Sequence, residues 1–276
     1  MTTHQHAGIA VRTWAPLSGS SQTAPVLLLH GIGGRADAFA AMGELLAEAG
    51  WTAVAWDAPG YGASPDPLGP VGDDAPGTYV EAVVGLLDEL GATGAHLVGV
   101  SWGGVIATHV AARAPERVTS LTLIDSTRGS GTSEEKAAAM RARVDELVEL
   151  GGPDFAARRA PRLLAEGADP AIAAEVADHM GRVRVPGYSG AAEMMAQSDT
   201  GPLLPALRVP TLVLVGDEDR VTGVEESRLL AREIPGARYA EIIGAGHAAS
   251  QERPAEVTAE LLTFLSDLPV AEGMSR

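Results

Sequence analysis

An α/β fold, with a mostly parallel, doubly wound sheet and an inserted helical cap, is what this sequence predicts on three observations. Short runs rich in Val, Leu and Ile recur along the chain, the mark of strands buried on both faces. Each is followed by a turn signal and then by helical periodicity, the alternation that builds parallel sheets through βαβ crossovers. Between residues 127 and 200 the alternation stops, and only helical patterns separated by Gly and Pro remain.

In chain order, Ile9, Val11 and Trp14 mark a strand over 9–14 at the sheet edge. The apolar run Val26-Leu27-Leu28-Leu29 marks a buried strand over 25–30, and 38–49 follows with helical spacing. A third strand covers 52–56. The Pro- and Gly-rich stretch 65–77 reads as a surface loop. Helix 78–90, strand 95–100, helix 102–114 and strand 120–124 continue the rhythm. The insertion contains helices over 133–150, 153–164 and 170–182, separated by Gly151, Gly152, Pro153, Gly167 and Pro170. Strand 211–215, helix 225–233, strand 240–243 and helix 254–265 close the pattern. The core is therefore assigned to 1–126 and 201–276, and the cap (lid) to 127–200. Because strands flank the cap on both sides, it is expected above their carboxyl ends, where open α/β sheets bind ligands.

Composition narrows the chemistry. With 276 residues, 46% of them hydrophobic, the chain can bury a full core. Its 20 Lys and Arg against 36 Asp and Glu give a net charge of −16. That balance opposes phosphate backbones and anionic membrane surfaces, so nucleic acid and membrane are excluded as partners. The absence of cysteine removes disulfides, thiolate metal sites and cysteine nucleophiles. No basic segment followed by an apolar stretch opens the sequence, which points to a cytoplasmic protein.

The motif richest in chemistry is Gly99-Val100-Ser101-Trp102-Gly103, a G-x-S-x-G set between a strand pattern and a helical one. A serine hydroxyl is a poor nucleophile at neutral pH and needs a base, which in turn needs an orienting carboxylate. His247, in the loop Gly244-Ala245-Gly246-His247 after the last strand, is the candidate base. His4, His6, His96, His109 and His179 are weaker by position. Asp219 in Gly216-Asp217-Glu218-Asp219 is the candidate acid, preferred to Asp217 because it lies further into its loop; Asp125, after strand 120–124, is the rival. His30-Gly31-Ile32-Gly33-Gly34 follows a strand and can aim an amide at the site. The N–H groups of Ile32 and Trp102 are assigned as oxyanion donors, each worth about 3 kcal/mol in the transition state. The alternative is a plain glycine turn with His30 packed beneath it.

These motifs, together with Asp57-Ala58-Pro59-Gly60-Tyr61-Gly62-Ala63-Ser64, resemble the α/β-hydrolase superfamily from residue 9 to 265. The segments 198–204, 209–213 and 246–254 look most like the 3-oxoadipate enol-lactonase group, and Ser101-Trp102-Gly103-Gly104 is also similar to intracellular polyhydroxyalkanoate depolymerases. The resemblance implies an α/β-hydrolase fold and an esterase or lactonase that works through a Ser-His-Asp triad and an acyl-enzyme. It implies no cofactor and no metal. Its partner is a small-molecule ester or lactone, and the assembly a monomer or homodimer. The alternatives are a C–C bond hydrolase of ring-cleavage products and a non-catalytic ligand-binding receptor. Haloalkane dehalogenases and epoxide hydrolases use an aspartate where this chain has Ser101. Arg158, Arg159, Arg162, Arg182 and Arg184 make the cap locally basic in an acidic protein. Attraction of an anionic substrate is one reading of them, and a solvated helix face is the other.

Overall fold

Eight strands form one sheet in the computed structural model, which describes residues 2–6, 8–16 and 24–268. They are β1 (Thr2–His6), β2 (Ile9–Trp14), β3 (Val26–Leu29), β4 (Ala53–Trp56), β5 (Ala95–Val100), β6 (Val118–Ile124), β7 (Thr211–Gly216) and β8 (Arg238–Ile242). Their order is β1-β2-β4-β3-β5-β6-β7-β8, with β1 and β2 antiparallel to their neighbours and the rest parallel. Every residue of β3, β4, β5 and β7 is buried, which is why these strands read as continuous apolar runs. The β8 edge is polar and only half-buried.

Helices cover both faces. On one, α1 (Ala40–Glu48) and α9 (Pro254–Ser266) pack Met42, Leu46, Leu261 and Phe264 against Leu28, Ala55 and Leu214. On the other, α2 (Ala75–Glu89), α3 (Trp102–Arg113) and α7 (Val224–Glu233) pack Val83, Val105 and Leu230 in the cluster with Leu27, Leu97 and Val213. Three helices stand between β6 and β7: α4 (Glu134–Arg159), α5 (Pro170–Gly181) and α6 (Val185–Gln197). Side chains cap two of them, as Ser133 accepts from the Lys136 N–H and Asp169 from the Ala171 N–H. The four-residue α8 (Ala249–Glu252) precedes α9. Among the described residues no helix is long and apolar enough to cross a membrane.

Three expectations about elements need correction. The helices expected over 133–150 and 153–164 are present as the two halves of α4, separated where Gly151 takes the non-helical φ 72° and ψ 163°, but the second ends at Arg159 and gives way to a 3-10 turn, Ala160–Leu163. The helix α6 was not expected, because its Pro186, Gly187 and Gly190 argue against one. Nor was β1, whose Thr-Thr-His-Gln-His has no apolar alternation and whose residues are mostly exposed on the sheet edge.

Strand order fixes where a ligand can sit. From β3 the chain crosses outward to β4, then returns to β5 on the other side of β3. The loops after β3 and β5 therefore diverge and leave a crevice at the carboxyl ends of these two strands.

Candidate active site

Ser101 stands at that crevice, between the last residue of β5 and the first of α3. Its backbone takes φ 51° and ψ −113°, a conformation that non-glycine residues seldom adopt. The neighbouring glycines make it possible. A Cβ at Gly99 would run into the Gly103 carbonyl, and one at Gly103 into the Leu29 carbonyl. The turn lifts the Ser101 hydroxyl clear of α3, whose N-terminus it does not cap.

The two loops expected to supply partners reach this hydroxyl. His247 Nε2 lies 3.0 Å from Ser101 Oγ, and His247 Nδ1 lies 3.0 Å from Asp219 Oδ2. Asp219 is further held by the Val221 N–H at 2.7 Å and by the Thr222 hydroxyl, which donates at 2.6 Å. Burial works to raise the Asp219 carboxyl. The hydrogen bond and charge of His247, with the Thr222 and Val221 donors, win and hold it at about 2. Burial likewise opposes charge on His247, but its bond to Asp219 and the nearby Asp125 raise the imidazole above its ordinary 6.5. The Asp219 carboxylate is thus already in place to stabilise the imidazolium when a proton arrives at Nε2.

Asp125 is not the partner of His247. Fully buried and at φ 49°, it accepts the Gly216 N–H at 2.8 Å and the Ala249 N–H at 3.1 Å. One oxygen thus ties down the start of the acid loop and the other the segment just after His247. Burial raises this carboxyl to about 8, against the pull of His247.

The loop after β3 lies against the nucleophile. A Cβ at Gly31 would meet Ser101 Cβ at 3.5 Å. Among the described residues no group takes the N–H of Ile32 or of Trp102, and both residues line the crevice. His30 packs beneath the turn against Tyr61 and Trp102. Its Nδ1–H donates to the Gly31 carbonyl at 2.8 Å while Nε2 accepts from the Ala58 N–H at 3.1 Å, an arrangement that requires the neutral ring. Asp57 ties the same region together by accepting from the Ala36 and Ala63 N–H groups. His96 and His109 are buried against Ser120 and Ser198, away from the crevice.

The crevice opens into a cavity of about 400 Å³ roofed by α4, α5 and α6. Met140, Val176, Met180 and Met195 give it apolar walls. His179 from α5, a weaker base candidate by position, lines this cavity, as does Arg143 from α4, which the sequence did not single out. The five arginines that were singled out divide: Arg159 and Arg162 line the cavity, whereas Arg158 pairs with Glu146, Arg182 with Asp178 and Arg184 with Asp66. Those three serve the surface of the helical layer. Among the described residues no group of three or more His, Asp or Glu side chains is arranged to hold a metal ion.

Comparison with known proteins agrees with this fold. The profile of the Alpha/beta hydrolase family matches residues 26–261. The 3-oxoadipate enol-lactonase 2 of Acinetobacter baylyi is 29% identical over 204 residues, covering 73% of this chain and 73% of its own. The poly(3-hydroxyalkanoate) depolymerase of Ectopseudomonas oleovorans is 30% identical over 263 residues, 93% of this chain and 89% of its own. Among solved structures, a thermophilic esterase from Thermogutta terrifontis with malate bound superposes with a TM-score of 0.85. It is 27% identical, over 95% of this chain and 94% of that one.

Proposed function

The chain belongs to the alpha/beta hydrolase family, and from that premise we propose that it is a serine hydrolase cleaving a small carboxylic ester or lactone. The observation that carries the reading is the continuous line Ser101 Oγ, His247 and Asp219, with both links at 3.0 Å. Hydrolytic relatives with ester or lactone substrates support it.

In this reading Ser101 Oγ attacks the substrate carbonyl while His247 Nε2 takes its proton. Asp219 keeps the imidazole in the tautomer with the proton on Nδ1 and stabilises the imidazolium that forms. The oxyanion settles between the free N–H groups of Ile32 and Trp102, the latter reinforced by the N-terminus of α3. The tetrahedral adduct collapses, His247 returns the proton to the departing alcohol, and an acyl ester remains on Ser101. Water, deprotonated by the same imidazole, then attacks that ester and frees the acid. Residues 127–200 act as a lid that shapes the space over the acyl group.

The test is labelling with a serine-reactive organophosphonate, read by mass spectrometry beside turnover of a p-nitrophenyl ester panel. One adduct per chain on Ser101, with turnover abolished in Ser101→Ala, is expected. Labelling on another serine, or unchanged turnover in that variant, would overturn the assignment.

A further inference from the structure

We propose that Arg143 is the anchor for a carboxylate carried by the substrate, at the end of an apolar spacer that leads away from the scissile carbonyl. This rests on the acyl-transfer reading above and names the substrate class for the same cavity.

The argument begins with how the arginines between 127 and 200 are used. There are eight, and six are ion-paired: Arg128 with Glu226, Arg141 with Glu193, Arg158 and Arg159 with Glu146, Arg182 with Asp178 and Arg184 with Asp66. Among the described residues, Arg143 and Arg162 have no carboxylate within ion-pair distance. Arg162 is exposed, so water satisfies it, whereas Arg143 is half-buried. A partly desolvated guanidinium without a counter-charge is costly, in a chain that has 36 acidic residues from which to supply one.

The surroundings of Arg143 select an anion. It lines the cavity that contains Ser101, beside the hydroxyl of Tyr188 and within the field of Arg159 and Arg162. Lys136 and Arg220 also line the cavity, Arg220 being paired with Glu218 and Arg159 with Glu146, and among the described residues the one carboxylate lining it, Glu226, is taken by Arg128. In a molecule of net charge −16, Lys136, Arg143 and Arg162 thus line one cavity with no carboxylate in ion-pair distance among the described residues. Guanidinium and phenol together offer a carboxylate several donors, a geometry for which arginine is better suited than lysine. Met140 and Met195 furnish the apolar wall for the spacer.

The experiment compares mono-p-nitrophenyl glutarate, which carries an acyl-side carboxylate, with p-nitrophenyl pentanoate, its neutral counterpart. The 4-carboxyphenyl ester of pentanoic acid puts the charge on the leaving group instead. For wild type, an anionic ester is expected to have the lower KM. In Arg143→Met the KM ratio of that ester to the neutral one should rise about tenfold or more, with the change in KM rather than kcat, because the lost contact is made equally in ground and transition states. Arg143→Lys should recover part of the ratio, and thermal melts report whether each variant is folded. The ester that shows the effect tells which side of the bond bears the charge. A parallel titration of Ser101→Ala with monomethyl glutarate, followed by calorimetry, reads the site without turnover. Binding should weaken about tenfold or more when Arg143→Met is added. Equal KM changes for charged and neutral esters, or calorimetric binding indifferent to Arg143, would overturn the proposal. If wild type cleaves no ester, the hydrolase reading fails, and calorimetry alone decides the fate of the Arg143 site.

Discussion

Two aspartates lie close to His247, and their surroundings give them different work. Asp219 touches the imidazole, so Asp219→Asn should lower kcat by roughly 10⁴, as happens when the ring is held in the wrong tautomer. Asp125 touches only backbone, the Gly216 and Ala249 N–H groups. In Asp125→Asn one of those N–H groups would face an NH₂, costing about 1–3 kcal/mol of stability with a far smaller loss of kcat. Steady-state kinetics and chemical denaturation of both variants check this, and the reverse ranking in folded proteins would move the acid to Asp125. The pH profile follows from the same geometry. The base must be neutral, and its proton affinity is raised by Asp219 above the ordinary 6.5. Therefore kcat/KM should rise with pH through an apparent pKa above 6.5, and a midpoint below that value would contradict stabilisation of the imidazolium by Asp219. For folding the sense is opposite: the raised imidazole adds stability below 6.5 that is lost as pH climbs through the folded-state value. Ser101, Asp219 and His247 were legible because each follows a strand, in an order that topology maps onto one crevice. Arg143 was not, because its role depends on which way α4 faces and on which neighbours have already been claimed by acids.

At the level of elements, the sequence was most readable where one physical demand dominated. Strands buried on both faces leave continuous apolar runs, and β5 and β2 fall on their expected bounds. The helical layer was harder, because several demands compete there. Helix α6 tolerates Gly187 since a side chain would strike the Gly60 backbone, so packing overrides propensity. The bend in α4 rests on Gly151, whose φ 72° and ψ 163° suit glycine almost alone. Nothing lies within 4 Å of where its Cβ would be. Gly151→Ala therefore tests backbone strain without a clash and should cost about 1–3 kcal/mol. Gly103→Ala instead brings a collision with the Leu29 carbonyl, a backbone atom that cannot step aside, and should cost more, with loss of turnover. Denaturant unfolding of the pair ranks the two, and equal losses would mean that β3 moves to make room.

Charge is the property that only the whole molecule reveals. The whole chain carries a net −16, whereas Lys136, Arg143, Arg159, Arg162 and Arg220 line one cavity. An anionic substrate therefore approaches against a long-range repulsion and is held by a short-range attraction. Salt separates the two, because screening acts first on charges far from the ligand. The Debye length falls from about 30 Å at 0.01 M to about 8 Å at 0.15 M, close to the scale of a single cavity. Over that interval the distant acidic surface is screened, while the half-buried Arg143 is screened much less. For a carboxylate-bearing ester kcat/KM should accordingly rise between 0.01 and 0.15 M salt relative to a neutral ester of equal size. Near 1 M, where the length is about 3 Å, the exposed Lys136 and Arg162 lose their reach and the ratio should turn downward. A ratio that falls from the lowest salt onward would show that the cationic wall governs approach as well as capture, and that the acidic surface lies too far from the entrance to be felt.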